Sequence, residues 1–262
     1  MIKIFLPEVL NEKGERATNQ DAIYPKEPTI ESNIFLVCDG VGGHVKGEVA
    51  SQLICDHFPI YLSRCKSDLT KKEVLNAGLL YVEEKLKNFL KDNPDAKNMA
   101  STLLILCLSQ NNNNVAVGWV GDSRVYHIRN GVVLYKTKDH SEVQNLLDMG
   151  ELSEKEAITY PRKNVITRAV SGNNPARMDY HKIEDILEND FFLLCTDGIL
   201  ENLDESKMTK WFKAWANPLE VKAQILNNAK NKTKDNYSMQ LIKIRKIINE
   251  HKPKKKWFWQ NL

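Results

Sequence analysis

The sequence predicts an α+β fold of four layers, α/β/β/α, in which two antiparallel sheets pack together and helix pairs flank them. Three observations predict it. Apolar runs follow one another directly across turn signals, so antiparallel pairing is favoured over βαβ crossovers. Helical patterns arrive in pairs rather than singly between strands. Several strand-like runs are apolar throughout, as strands covered on both faces are.

The elements read in order as follows. Ile34–Cys38 is a buried strand that stops at Asp39-Gly40. The helix predicted over Gly47–Arg64 carries Ala50, Leu53, Ile54, Phe58, Tyr61 and Leu62 at helical spacing. A second helix runs to Asp92 and opens on Thr70-x-x-Glu73, the pattern of a capping box. Strands over Ser101–Leu108 and Val115–Val120 flank a turn at Asn111–Asn114. Strands over Val125–Ile128 and Val132–Tyr135 flank Asn130-Gly131, a two-residue hairpin signal. From Asp139 to Asn174 the chain is polar, with helical patterns at Glu142–Met149 and after Ser153-x-x-Glu156. So long a stretch with little apolar content reads as an exposed flap. Strands return at Arg177–Ile183 and Phe191–Thr196, followed by helices over Glu205–Ala216 and Pro218–Lys230 and a closing strand, Tyr237–Ile244.

Composition narrows the class. The chain has 262 residues, 42% hydrophobic and 27% charged, enough for a sizeable core. A net charge of +3 makes no demand for nucleic acid as a partner. Of the 5 cysteines, Cys38, Cys107 and Cys195 sit inside apolar runs, which fits reduced thiols in a reducing compartment. The beginning, MIKIFLPEVLNEKGE, lacks the apolar core of a signal peptide, and no stretch has membrane-spanning length. The expectation is a cytoplasmic monomer.

The chemistry lies in the aspartates. Three apolar strands run into carboxylate beside glycine: Asp39-Gly40, Gly121-Asp122 and Asp197-Gly198. Asp21 and Asp235 lie beside polar turns. A single Asp-Gly reads as a turn, because glycine supplies positive φ and aspartate bonds nearby backbone. Three at the ends of neighbouring strands converge, and converging carboxylates repel unless a cation joins them. Mg²⁺ or Mn²⁺ suits such an oxygen-rich set. Gly42 and Gly47 have P-loop spacing, but Glu48 stands where the phosphate-binding lysine belongs. No Cys-x₅-Arg loop, Asp-x-Asp pair or zinc spacing is present. Metal-activated water remains.

Asn19-Gln20-Asp21, Asp39-Gly40-x-Gly42-Gly43-His44, Gly121-Asp122-Ser123-Arg124, Asp139-His140-Ser141, Asp197-Gly198 and Asp235-Asn236 occur in one order. That series resembles the PPM, or type 2C, serine/threonine protein phosphatases, in their bacterial single-domain branch. The resemblance covers residues 1–245, with a flap at about 139–172, and leaves 246–262 as a tail. It implies a β-sandwich flanked by helix pairs and two core Mg²⁺ or Mn²⁺ ions. Asp39 would bridge them, the Gly40 carbonyl, Asp197 and Asp235 would complete the ligands, and Asp21 would hold metal-bound water. Asp122 with Asp197 would form a third-metal site, and Arg16 would bind phosphate. A hydroxide shared by the metals would hydrolyse phosphoserine or phosphothreonine without a covalent intermediate. Phosphoproteins are the implied partners, including a bacterial serine/threonine kinase or its targets.

Some positions depart from the family. Val41 stands where a histidine or methionine is usual, leaving protonation of the leaving group without an obvious donor. His44 is the nearest candidate general acid, against the alternative of a structural histidine in a glycine turn. Thr196 replaces serine, Ala100-Ser101-Thr102 a glycine-threonine pair, and Tyr160-Pro161 histidine-proline. No metal aspartate is lost. Two rivals stand beside the phosphatase: a catalytically silent phosphoprotein-binding module on the same fold, and a small-molecule phosphoesterase. The tail Lys252–Leu262 sets lysines beside Trp257, Phe258 and Trp259, a composition for contact with an anionic membrane or for docking on the chain's own core.

Overall fold

Two six-stranded antiparallel sheets face each other in the computed structural model, which describes residues 1–41, 46–230 and 232–248. The first runs β1 (Ile2–Ile4), β12 (Tyr237–Ile247), β11 (Phe191–Cys195), β8 (Arg124–Arg129) and β9 (Val132–Lys136), with β2 (Glu8–Glu12) also on β12. The second runs β10 (Asp179–Ile183), β7 (Val115–Val120), β6 (Leu103–Leu108), β4 (Ile34–Val41) and β3 (Asp21–Tyr24), with β5 (Ala100–Ser101) on β4. Helices α1 (Gly47–Ser63) and α2 (Lys72–Asp92) cover the second sheet. The one-turn α5 (Asp197–Leu200), α6 (Glu205–Trp211) and α7 (Pro218–Ala229) cover the first. Short helices α3 (Glu142–Asp148) and α4 (Glu154–Thr159) belong to the flap.

Three apolar layers explain why the strands read as unbroken apolar runs. Along β6, Leu103, Ile105 and Cys107 pack under α1 and α2, while Leu104, Leu106 and Leu108 enter the gap between sheets. On β11, Phe192 and Leu194 face that gap and Phe191, Leu193 and Cys195 face α6 and α7. Each side of these strands is apolar because each is covered. The same alternation decides where the carboxylates go. Phe35 and Val37 of β4 point between the sheets, so Asp39, two residues on, is on the same face at the open end.

The structure amends several expectations. Asp39 lies within β4, which continues through Gly40 to Val41, rather than past its end. Thr70 does not cap α2; the N-cap is Lys71, without a side-chain bond. Asp68 Oδ1 instead accepts from Thr70 N at 3.0 Å and Thr70 Oγ1 at 2.8 Å, a local turn that competes with capping. The helix expected over Glu205–Ala216 stops at Trp211, and the closing strand continues to Ile247. Strands β1, β2 and β3 were not expected: they have three to five residues each and pair with longer neighbours, while the strand expected over Ser101–Leu108 divides at Thr102 into β5 and β6. Asn130 and Gly131 adopt φ 48° and 83°, as the hairpin signal requires. The Ser153–Glu156 capping box forms, and Pro218 opens α7.

Candidate metal-dependent active site

The aspartates meet at one end of the sandwich, each placed by a different element. Asp21 opens β3 and is paired in register with Asp39 on β4. Asp39 is held through its backbone. Its N–H donates to Thr102 Oγ1 at 2.9 Å, and its carbonyl accepts from Thr102 N at 2.8 Å and Ser101 Oγ at 2.9 Å. The Ser101-Thr102 pair therefore fixes the strand and leaves the carboxylate free. Gly40 must be glycine, because a Cβ there would overlap the Gly47 carbonyl at the start of α1. Asp122 occupies the β7–β8 turn after Gly121, whose φ is 105°. Asp197 opens α5 directly after β11, and Asp235 precedes β12.

Burial and mutual repulsion act together on this set. Burial, opposed by bonds from Ser238 and Thr196, pushes the Asp21 carboxyl up to about 7. Burial and then Asp197 raise Asp122 to about 7, and burial and then Asp235 raise Asp197 to about 6. Asp39 is raised well above the ordinary range by burial, then by Asp21, Asp197, Asp122 and Asp235. Two oxygens, Asp21 Oδ1 and Asp197 Oδ1, are buried without any hydrogen-bond partner. Carboxylates that raise one another and carry orphaned oxygens fit hard divalent cations. Among the described residues no three side chains are already closed into a metal cage. Asp21 Oδ2 accepts from Thr196 Oγ1 at 3.0 Å, and both Asp235 oxygens are engaged by Arg16.

Arg16 lies against Asp235. Its Nε and Nη2 donate to Asp235 Oδ1 and Oδ2 at 2.9 and 2.7 Å, and the guanidinium stays more than half exposed. It is the one cation hydrogen-bonded to the five aspartates among the described residues. Sequence reasoning missed what holds its loop. Asn236 Nδ2 donates to Lys13 O at 2.7 Å and Thr18 O at 3.0 Å, and its Oδ1 accepts from Gln20 N at 2.9 Å. One side chain thus ties the 13–20 loop to the start of β12. The Asp235-Asn236 motif marked the position but not this work. His44 lies outside the described residues, as do Gly42 and Gly43.

The flap is anchored beside Asp122. Arg124 makes a two-pronged contact with Asp139, both bonds 2.7 Å. His140 Nδ1 accepts from Gly121 N at 3.1 Å, so its proton is assigned to Nε2, which lies 3.2 Å from Asp179 Oδ2. A cavity of about 640 Å³ lies between the flap and the sandwich, with Asp122 and Asp197 in its wall. A second cavity, about 400 Å³, sits at the opposite end of β4 beside Ile34 and holds none of the five aspartates.

Comparison with known proteins follows this geometry. A sequence profile described as Protein phosphatase 2C matches residues 13–232. The serine/threonine phosphatase stp of Listeria monocytogenes is 31% identical over 184 residues, 69% of this chain and 72% of its own length. The protein phosphatase PhpP of Streptococcus pneumoniae is 29% identical over 204 residues, 76% of this chain and 81% of its own. The crystal structure of the Mycobacterium tuberculosis serine/threonine phosphatase PstP/Ppp superposes with a TM-score of 0.80 at 24% identity, covering 94% of this chain and 100% of that one. A PstP catalytic domain in complex with 2 manganese ions superposes at 0.77 with 24% identity, over 94% of this chain and 100% of that one. The four-layer fold is shared with both.

Proposed function

The chain belongs to the protein phosphatase 2C family and is a metal-dependent serine/threonine protein phosphatase; from that premise we propose how its own residues carry the reaction. Asp39, the Gly40 carbonyl, Asp197 and Asp235 would hold the two core ions, Mg²⁺ or Mn²⁺, and Asp122 with Asp197 would hold a third. Divalent cations bound there supply Lewis-acid activation of water and offset charge on the phosphoryl oxygens.

The remaining work falls to the protein. Asp21 accepts a hydrogen bond from the attacking water through Oδ1, while Thr196 fixes the carboxylate by holding Oδ2. Arg16 spends two of its five N–H donors on Asp235. The other donors take phosphoryl oxygens and orient the ester for in-line displacement. Phosphoryl transfer is largely positioning and charge stabilisation, so transfer straight to water needs no nucleophilic side chain. Protonation of the leaving group is assigned to no described residue.

The substrates are phosphoserine and phosphothreonine proteins. Such groups are installed by serine/threonine kinases, so the protein opposes a kinase of that class. Its place is the cytoplasm, a reading supported by five free cysteines, four of them buried. No helix among the described residues is long and apolar enough to cross a membrane. The tail Lys252–Leu262, read for membrane contact, lies outside the described residues.

The observation that carries the mechanism is the pair of buried, partnerless oxygens on Asp21 and Asp197 within a set of mutually repelling carboxylates. The test is hydrolysis of a phosphothreonine peptide by Asp39→Ala and Asp197→Ala in saturating Mn²⁺. Each is expected to fall below about a tenth of the wild-type rate, a barrier increase above ~1.4 kcal/mol. Retention of more than that overturns the ligand assignment.

A further inference from the structure

Between the strand that carries Asp39 and the turn that carries Asp122 lies a buried pair of hydroxyls. Thr102, between β5 and β6, is 0% exposed, and Ser123, next to Asp122, is 2% exposed. Their side-chain oxygens share a hydrogen bond of 2.9 Å. Thr102 Oγ1 also accepts from Asp39 N at 2.9 Å, and Thr102 N donates to Asp39 O at 2.8 Å. One side chain is therefore bonded both to the backbone of the first aspartate and to the neighbour of the second.

The turn at 121–124 is gripped from two sides. On the sandwich side, the Thr102 methyl lies so close to Gly121 that a Cβ there would overlap it. On the flap side, Gly121 O accepts from His140 N at 2.9 Å, and Arg124 forks onto Asp139. Apolar side chains of the same shape would fill the space of Thr102 and Ser123 without desolvating two hydroxyls. A hydrogen bond adds what packing does not, a fixed distance and direction between β4 and the turn.

We propose that the Thr102–Ser123 bridge is a positioning link between the two parts of the metal centre. Ions held by Asp39 fix β4, and the bridge passes that fixation to the turn bearing Asp122 and to the flap root at Asp139-His140. Filling the core sites thereby prepares the third site, and by linkage an ion at Asp122 tightens the core pair by the same factor. The proposal rests on the ligand reading above. Direct charge works in the opposite sense, because neighbouring cations repel. Favourable coupling therefore has to travel through the polypeptide, and Thr102 is bonded at both ends of the path.

The test uses the full chain carrying Asp122→Ala, which keeps the core ligands and lacks the third site. Mn²⁺ is added to the level at which calorimetry shows the core sites filled, and amide hydrogen exchange is read over residues 120–126 and 137–142. Mn²⁺ is expected to slow exchange there about fivefold or more, although no ion touches the turn. With Ser123→Ala added, that slowing should vanish while β4 still gains protection, because Asp39 N keeps its bond to Thr102. Thr102→Ser retains the hydroxyl and should behave as its parent. Thr102→Val should lose the slowing and also bind core Mn²⁺ more weakly, since Asp39 N loses its acceptor. With Asp122 restored, Ser123→Ala should lower the affinity for the third Mn²⁺ about fivefold. Unchanged exchange over the turn in Asp122→Ala overturns the proposal. So does slowing that survives Ser123→Ala, which would give the coupling to Asp197, the ligand common to both sites. Core sites that take up no Mn²⁺ in any of these chains are a separate result, which overturns the ligand reading and the proposal with it.

Discussion

Asp21 and Asp39 stand directly opposite each other on the antiparallel neighbours β3 and β4. Like charges so placed destabilise a sheet, and here burial adds to the repulsion. The raised carboxyls of Asp21 and Asp122, both about 7, and Asp197, about 6, hold protons in the metal-free fold that the unfolded chain releases near pH 4. The folded form then binds more protons than the unfolded form between about pH 4 and 7, so this cluster's contribution to stability falls as pH rises through that window. His57, His140 and His181, held low first by burial, act in the opposite sense below about pH 6.5. The difference between metal-loaded and metal-free protein isolates the cluster. Mn²⁺ affinity should rise with pH between about 5.5 and 7.5, by up to about tenfold per pH unit for each proton displaced. Titration calorimetry in buffers of different ionisation enthalpy measures that proton release; pH-independent affinity would remove the cluster from metal binding.

Asp39→Asn removes one ionisable carboxyl from the set without changing its shape. In EDTA at pH 7.5 the variant should be more stable than the wild type by about 1–2 kcal/mol, roughly 2–8 °C in Tm. In Mn²⁺ it should be inactive and gain less from the metal. Thermal unfolding with and without Mn²⁺ distinguishes a ligand, which shows this inversion, from an ordinary structural aspartate, which would lose stability in both conditions.

Arg16 and Asn236 should fail differently. Arg16→Ala removes phosphate donors and should cut kcat/KM on a phosphopeptide about 10–100-fold, with Arg16→Lys recovering only part because it loses the planar fork. Asn236→Ala leaves Lys13 O, Thr18 O and Gln20 N without partners, a cost of about 1–3 kcal/mol in unfolding free energy, read from urea denaturation. Its loss in kcat/KM should nearly vanish in an Arg16→Ala background, since the loop it holds no longer has a guanidinium to place. Additive losses in that double-mutant cycle would uncouple the two residues.

Most of the layered fold is legible in the chain because strands such as Leu103–Leu108 and Phe191–Cys195 are apolar on both faces. The strand-end aspartates are legible for a local reason: each abrupt switch from apolar residues to Asp beside Gly lies within a few positions. What opposes Asp39 is not local. Strand β3 is four residues long, and its register against β4 exists only once the sheet forms. The same holds for Asn236, whose partners at 13, 18 and 20 are more than two hundred residues away in sequence. Thr70 misleads because Asp68, two residues before it, takes its hydrogen bonds. The flap is readable as exposed from its composition, but which side faces the aspartates requires the cavity.

Gly40→Ala separates steric placement of the site from its charge. The added Cβ would strike the Gly47 backbone and the Gln20 carbonyl, both fixed: Gln20 O accepts from Gly40 N at 3.0 Å and from Ser51 Oγ at 2.6 Å. Neither is the free end of a flexible side chain, so β4 must move away from α1. Overpacking of this kind costs about 1–3 kcal/mol. That loss should appear in EDTA, where Asp39→Asn gains stability, giving the two variants opposite signs under one condition. Because Asp39 and the Gly40 carbonyl shift with the strand, Mn²⁺ affinity should fall by at least about tenfold although every carboxylate remains. A Gly40→Ala protein with normal urea midpoint and normal Mn²⁺ titration would show that the β4–α1 contact tolerates a methyl group and does not set the position of the metal ligands.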